Sequence, residues 1–199
     1  MDYNTDSSDV VASWWDYGYW ISGNSNTTIL VDNATINSTK IGNIGCMLVL
    51  NPRESLKIAK LYDVTYIVLL VSDGWYQLDS DLGKVPWFVR IGESSGNIIQ
   101  IDEDDYLEYD SRRQYITGYV DKFYESVFWS LFTAEASEDA YTRITGYGPI
   151  ADNAPAAKGF HQDYTEYADY YELAYKSQYD WVYIWRIKWE EIPPGAIAP

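Results

Sequence analysis

The sequence predicts an α+β fold: a helix-rich single domain with a small mixed β-sheet and a C-terminal β-hairpin. Three observations carry that prediction. Residues Val64 to Val71 are almost wholly apolar or β-branched, the signature of a buried central strand. A strongly capped helix leads directly into that run, and helix followed at once by strand points to a mixed layer. Near the end, Tyr171 to Lys176 and Trp181 to Trp189 read as two strands joined by Ser177 to Asp180.

In chain order, residues 1–9 are polar and turn-forming and predict an exposed lead-in, which places the single globular domain at residues 10–199. Gly18 to Ile21 extend a short helix that stops near Gly23-Asn24, and Thr27 to Val31 form a β-rich segment. Asn37-Ser38-Thr39 offer a cap for an apolar helix from about Lys40 to Leu50, in which Gly42 and Gly45 either weaken the helix or admit a close neighbour. Asn51 as N-cap, Pro52 at the first helical position and Glu54 at the third start a second helix that runs to about Tyr62. Ser72 to Ser80 form a loop carrying Asp73, Trp75 and Asp79.

Asp81 to Ile91 predict a further helix. Proline in a helix interior costs about 3 kcal/mol, so this helix either begins at Val85 or bends at Pro86, and a kink is the expectation. Gly92 to Gly96 end it, and Asn97 to Ile101 read as a short strand. Asp102 to Asp105 lack the alternating oxygens and the glycine of a calcium loop, so they predict a solvated turn. Apolar and aromatic residues recur at helical spacing at Tyr115, Tyr119, Phe123, Val127 and Leu131, which predicts the longest helix over residues 112–133. A long loop follows between Gly146 and Gly159, and His161 beyond it reads as a surface residue. Tyr164, Tyr167, Tyr171 and Tyr175 share a helical face, yet the last two also begin the hairpin; a short helix and then the hairpin is the expectation.

Nine Trp and twenty Tyr favour buried aromatic packing and sugar- or peptide-facing surfaces. A net charge of −16 repels nucleic acid and anionic lipid and excludes both as direct partners. Cys46 is the single cysteine, lies in an apolar run and is expected to fill the core. The longest apolar run falls far short of the roughly 20 residues that cross a bilayer, and no signal-peptide pattern follows Met1, so the chain as it stands is expected to be soluble.

The chemistry concentrates in Ser13-Trp14-Trp15-Asp16-Tyr17-Gly18. Adjacent side chains diverge in helix and strand alike, so Trp14 and Trp15 cannot both enter one core from regular structure, and a turn or helix start is expected. Two readings stand. Ser13 and Asp16 are spaced as a capping box, with the indoles as anchors. Alternatively, two indole N–H donors and an ionised carboxylate enclose one hydroxyl, accepting its proton and donating to its oxygen.

The pentapeptide Trp14-Trp15-Asp16-Tyr17-Gly18 resembles the WWDYG signature of the catalytic subunit of oligosaccharyltransferase, which moves a lipid-linked glycan onto asparagine in Asn-X-Ser/Thr. The resemblance extends over Thr28 to Asn33, the helix into Asp63 to Val68, and the closing Trp181 to Lys188 strand, in the order of that subunit's C-terminal globular domain. A second family pattern, Asp-X-X-Lys and then Met or Ile, is similar to Asp81, Lys84 and Phe88, with Phe88 departing from the usual residue. The small size resembles the shortest archaeal members.

The resemblance implies that Trp14, Trp15, Asp16, Tyr17 and Gly18 form one wall of a pocket for the acceptor hydroxyl, and that Asp81, Lys84 and Phe88 form the other. It also implies a lipid-linked oligosaccharide donor of the dolichyl phosphate type, a divalent metal (Mn or Mg) held by ligands outside this chain, and an N-terminal transmembrane region of the same protein. On that reading this domain sits on the extracellular face of the cell membrane and is inactive alone. Asn26, Asn33 and Asn37 each open an acceptor sequon of their own, most simply by chance in an Asn- and Thr-rich segment. The competing reading from composition is a secreted, aromatic-rich carbohydrate-binding module with no enzyme attached.

Overall fold

Residues 5–71, 80–146, 148–150 and 153–197 are described by the structure, a computed structural model. A five-stranded mixed sheet has the order β2-β1-β3-β7-β6, built from β1 (Val10–Ala12), β2 (Thr28–Ile29), β3 (Tyr66–Leu70), β6 (Tyr171–Lys176) and β7 (Val182–Ile187). β1 runs parallel to both β2 and β3, while β7 is antiparallel to β3 and β6. The apolar run that predicts a central strand thus occupies the middle of the sheet, and the C-terminal hairpin pairs onto it. With its helical layer the domain is α+β.

Strand alternation gives the sheet two unlike faces. Ala12, Ile67, Leu69, Tyr183 and Trp185 point into the main core, whereas Val11, Tyr66, Val68 and Ile184 join Ile21 of α1 (Gly18–Asn24) in a smaller cluster. The main core is completed by α2 (Ser38–Val49), α3 (Pro52–Leu61), α4 (Val85–Ser95) and α6 (Val127–Ala134). Caps fix the starts of the first two: the Asn37 side chain accepts from the Lys40 amide, and that of Asn51 accepts from the Glu54 amide with Pro52 beside it. Cys46 is buried in α2.

Gly42 and Gly45 are where α4 is seated. A Cβ at Gly42 would lie 2.4 Å from the Gly96 nitrogen, and one at Gly45 2.5 Å from the Phe88 carbonyl oxygen. Of the two roles open to these glycines, close approach is the one the fold uses, and it sets the depth at which Phe88 and the preceding turn sit. That turn is a 3-10 segment, Asp81–Lys84, after which α4 begins at Val85 with Pro86 in its first turn. The expected kink at Pro86 is therefore absent. A first-turn residue has no helical acceptor for its N–H, so proline costs nothing there.

Two other expectations fail. Residues 112–133 are not one helix: β4 (Leu107–Tyr109) pairs with β5 (Ile116–Tyr119), α5 (Asp121–Tyr124) follows, and Ser126 caps a separate α6 by accepting from the Trp129 amide. The Asp110 carboxylate folds the chain back by accepting from the amides of Gln114 and Tyr115, at 2.5 and 2.8 Å. Turn chemistry overrode the aromatic spacing. Asn97 to Ile101 form no strand, because Asn43 takes up the free amides of Asn97 and Ile98 instead. Before the loop expected between Gly146 and Gly159 lies α7 (Glu138–Thr145), a segment for which the sequence reading names no element.

The 3-10 segment Gln162–Tyr170 leads into the expected hairpin, with His161 accepting from the Asp163 amide at its start. Asp73, Trp75 and Asp79 lie outside the described residues.

Candidate functional site

β1 and β3 are parallel, so the segments leaving them emerge at the same end of the sheet. After β1 come Ser13 and Trp14 and then a 3-10 turn, Trp15–Tyr17, that runs directly into α1. At the end of β3, the Leu70 amide donates to Asp81 Oδ2 at 2.8 Å. Ligand sites of open sheets containing parallel strands form at this carboxyl end.

Gly18 makes the first turn possible. A Cβ there would lie 2.4 Å from the Val31 carbonyl oxygen and 2.5 Å from Asp32 Cα, so only glycine lets the turn pack against the segment leaving β2. The capping-box reading does not hold. Ser13 Oγ donates to the Trp14 carbonyl oxygen at 3.2 Å, and neither the turn nor α1 has a side-chain cap.

The Asp16 carboxylate is instead used across the site. Lys84 Nζ donates to Asp16 Oδ2 at 2.6 Å, lies 3.3 Å from Asp81 Oδ1, and bonds the Tyr17 hydroxyl as well. That hydroxyl donates to Asp81 Oδ1 at 2.6 Å, and the ammonium lies 4.2 Å from the centroid of the Tyr17 ring. Asp81 is 1% exposed. Burial pushes its carboxyl above the ordinary carboxylate range, against the opposing pull of Lys84, the Tyr17 hydroxyl and the Leu70 amide. Burial, together with Asp81 and Asp16, also pushes the Tyr17 phenol well above its ordinary value, so it remains a proton donor.

One atom is left over. Asp16 Oδ1 is buried and finds no hydrogen-bond partner among the described residues. A buried carboxylate oxygen without a donor is costly, and a ligand O–H or N–H would satisfy it. The other oxygen is fixed by Lys84, so the free one is held in a set direction.

The remaining sequence-selected residues divide by depth. Trp15 is half-buried beside the turn. Trp14 is buried and packs on Phe88 with ring centroids 4.6 Å apart, and Phe88 is fully buried. Both walls therefore do come together, but Trp14 and Phe88 meet as buried packing rather than as an exposed lining. Asn33 enters as a contact that motif reading misses, since the sequence marks it only as the start of a sequon. Its side-chain amide donates to the Asp16 carbonyl oxygen at 3.0 Å, and its Oδ1 accepts from the Tyr19 amide at 3.3 Å.

The cluster does not suit a divalent metal. Asp16 and Asp81 already share the Lys84 ammonium, and among the described residues no group of three or more His, Cys, Asp or Glu is placed to hold an ion.

Residues 7–79 match the family model of the STT3/PglB/AglB core domain. Over those residues the chain carries an STT3/PglB/AglB core domain. It is 37% identical over 107 residues to the STT3A subunit of a dolichyl-diphosphooligosaccharide–protein glycosyltransferase from Oryza sativa subsp. japonica, covering 54% of this chain and 13% of that protein. It is 30% identical over 167 residues to the STT3 subunit from Dictyostelium discoideum, covering 83% and 23%. The chain thus spans less than a quarter of the length of these relatives. Among solved structures, the C-terminal globular domain of an oligosaccharyltransferase from Archaeoglobus fulgidus is similar with a TM-score of 0.47 and 14% identity, over 92% of this chain and 86% of that one. A second, an Archaeoglobus fulgidus oligosaccharyltransferase in complex with Zn and sulfate, is similar with a TM-score of 0.46 and 13% identity, over 94% of this chain and 30% of that one. The family model and the STT3 relatives favour the oligosaccharyltransferase reading over a free-standing carbohydrate-binding module. Among the described residues no helix is long and apolar enough to cross a membrane.

Proposed function

We propose that this chain is the acceptor-reading domain of a membrane oligosaccharyltransferase, which transfers a glycan from a lipid-linked, dolichyl phosphate type donor to asparagine in Asn-X-Ser/Thr. The observation that carries the reading is the buried, unpartnered Oδ1 of Asp16, whose companion oxygen is locked to Lys84. That oxygen accepts the hydroxyl proton of the Ser or Thr. Trp15 precedes Asp16 in the same turn, and Trp14, the residue before it, is packed on Phe88. Tyr17 and Asp81 hold Lys84, so the ammonium fixes the carboxylate rather than meeting the substrate. A residue lacking the hydroxyl leaves Asp16 unpaired and is strongly rejected, whereas the extra methyl of Thr over Ser is worth only about 1 to 3 kcal/mol.

The transfer itself belongs to the rest of the protein. A divalent metal, Mn or Mg, bound there supplies charge stabilisation to the reacting groups. The domain lies on the extracellular face of the membrane, joined to its own N-terminal transmembrane region, and is inactive by itself.

The test is glycan transfer by the full-length enzyme to an Asn-X-Thr peptide. Asp16→Ala is expected to lower kcat/KM about 100-fold, the worth of a lost hydrogen bond to a charged group. Transfer at the unaltered rate would refute the reading.

A further inference from the structure

We infer that Asn33 is a positioning residue for acceptor recognition: its side-chain amide clips the turn that carries Asp16. The inference rests on the function proposed above and goes beyond it to a residue on another segment. Both ends of the Asn33 amide are engaged on the motif backbone. Nδ2 donates to the Asp16 carbonyl oxygen at 3.0 Å and Oδ1 accepts from the Tyr19 amide at 3.3 Å, so one side chain ties the chain on both sides of Gly18.

Independent packing brings the two segments together. The missing Cβ of Gly18 lets Val31 and Asp32 lie against the motif, and Val31 itself is buried. Asn33 therefore stands where a short amide side chain bridges a gap set by the backbones. Asp32 shapes the same turn, its Oδ1 accepting from the Ala34 amide at 2.9 Å.

The geometry decides what the clip controls. Lys84 fixes one oxygen of Asp16 from the far wall, but the direction of the other depends on where the Asp16 backbone sits in the 3-10 turn that runs into the junction with α1. The Asp16 carbonyl oxygen is the atom Asn33 holds. Losing the clip lets that junction drift and misaims Oδ1 without removing any group that touches the acceptor. A shift in acceptor affinity with little change in turnover is the signature of such a residue.

Asn33 also opens the sequon Asn33-Ala34-Thr35, so the variants must separate the amide clip from modification of the same asparagine. Thr35→Ala removes the sequon and keeps the clip. Asn33→Ala removes both. Asn33→Asp removes the sequon and the donor to Asp16 but keeps the acceptor for Tyr19.

The experiment measures KM and kcat of the full-length enzyme for an Asn-X-Thr peptide in these three variants and in Asp16→Ala. Asn33→Ala and Asn33→Asp are expected to raise the acceptor KM about fivefold with kcat nearly unchanged, and Thr35→Ala to match the unaltered enzyme. If Asn33→Ala matches Thr35→Ala while Asp16→Ala is impaired, the clip is refuted and the acceptor pocket stands. If Asp16→Ala is also unimpaired, both fall together. If Asn33→Ala lowers kcat and leaves KM unchanged, Asn33 acts on something other than acceptor binding, and the inference is likewise overturned.

Discussion

Two clusters in this molecule are built from the same parts and come out differently. Around Lys84, a tyrosine and two aspartates surround one cation. Around Arg90, Tyr109 and Glu103 do much the same: Arg90 donates to Glu103 at 3.0 Å and to the Tyr109 hydroxyl at 2.7 Å, and Tyr109 donates to Glu103. Arg113 lies over the opposite part of the network, 4.6 Å from the Tyr109 ring centroid, and pairs with Asp104 at 2.8 Å.

The difference lies in burial and in what remains unsatisfied. Lys84, Asp16 and Glu103 are all partly exposed, but the Lys84 cluster is anchored on Asp81, 1% exposed, and leaves the Oδ1 of Asp16 buried without a partner, whereas the Arg90 side chain is 39% exposed and water screens its pairs. A closed, solvated network fastens a loop to a helix. A network anchored on a buried carboxylate, with one acceptor left open, is arranged to receive a donor.

Breaking each cluster should expose that contrast, and the largest effect is expected at Lys84. Lys84→Met leaves Asp81 buried with a weakened set of partners, which should destabilise the domain by about 3 kcal/mol in denaturant unfolding. Restoring part of that loss with Asp81→Asn in the same chain would show that the stranded charge is the cause.

The same carboxylate sets a pH dependence. Its folded value is raised above the ordinary 3.8, so its contribution is fully present below that value and lost as pH rises through the folded one. The stability difference between the unaltered domain and Asp81→Asn should therefore move in favour of Asp81 as the pH is lowered from neutral towards about 4. Melting temperatures of the pair across that range read it directly.

A middle-sized effect is expected where the recognition turn is packed rather than charged. Gly18→Ala forces a Cβ into the backbone at Val31 and Asp32, at a cost of about 1 to 3 kcal/mol in stability and with a weaker acceptor interaction. The smallest belongs to the solvated cluster. Arg90→Ala should cost no more than about 1 kcal/mol and leave peptide recognition as it was. A large loss of peptide recognition in Arg90→Ala would erase the distinction between the two networks.

Much of this was legible in the sequence because it is local. The caps at Asn37 and Asn51, the proline after Asn51, and the apolar run that becomes β3 each act over a few residues. Gly42 and Gly45 left a close approach open as one of two readings, without saying to what. β1 was missed because three residues are too short to show a period, and its pairing is with distant strands. The helix expected over residues 112–133 followed real aromatic spacing, but the Asp110 turn and the Ser126 cap divide that stretch. At the site, the residues from Trp14 to Gly18 and the Asp81–Lys84 pair stood out as motifs. The Asn33 contact did not, since nothing in the spacing of an asparagine 17 residues beyond Asp16 shows that its amide returns to the turn.

The most direct test of the central claim is a double comparison between Asp16 and the acceptor hydroxyl, made on the full-length enzyme with Asn-X-Thr and Asn-X-Val peptides, which differ by that hydroxyl against a methyl group. The unaltered enzyme should prefer the Thr peptide strongly, and Asp16→Ala should weaken Thr binding about 100-fold while leaving the Val peptide nearly unchanged, so that the preference collapses. Equal loss for both peptides would contradict the account, because Asp16 would then be supporting the site without reading the hydroxyl.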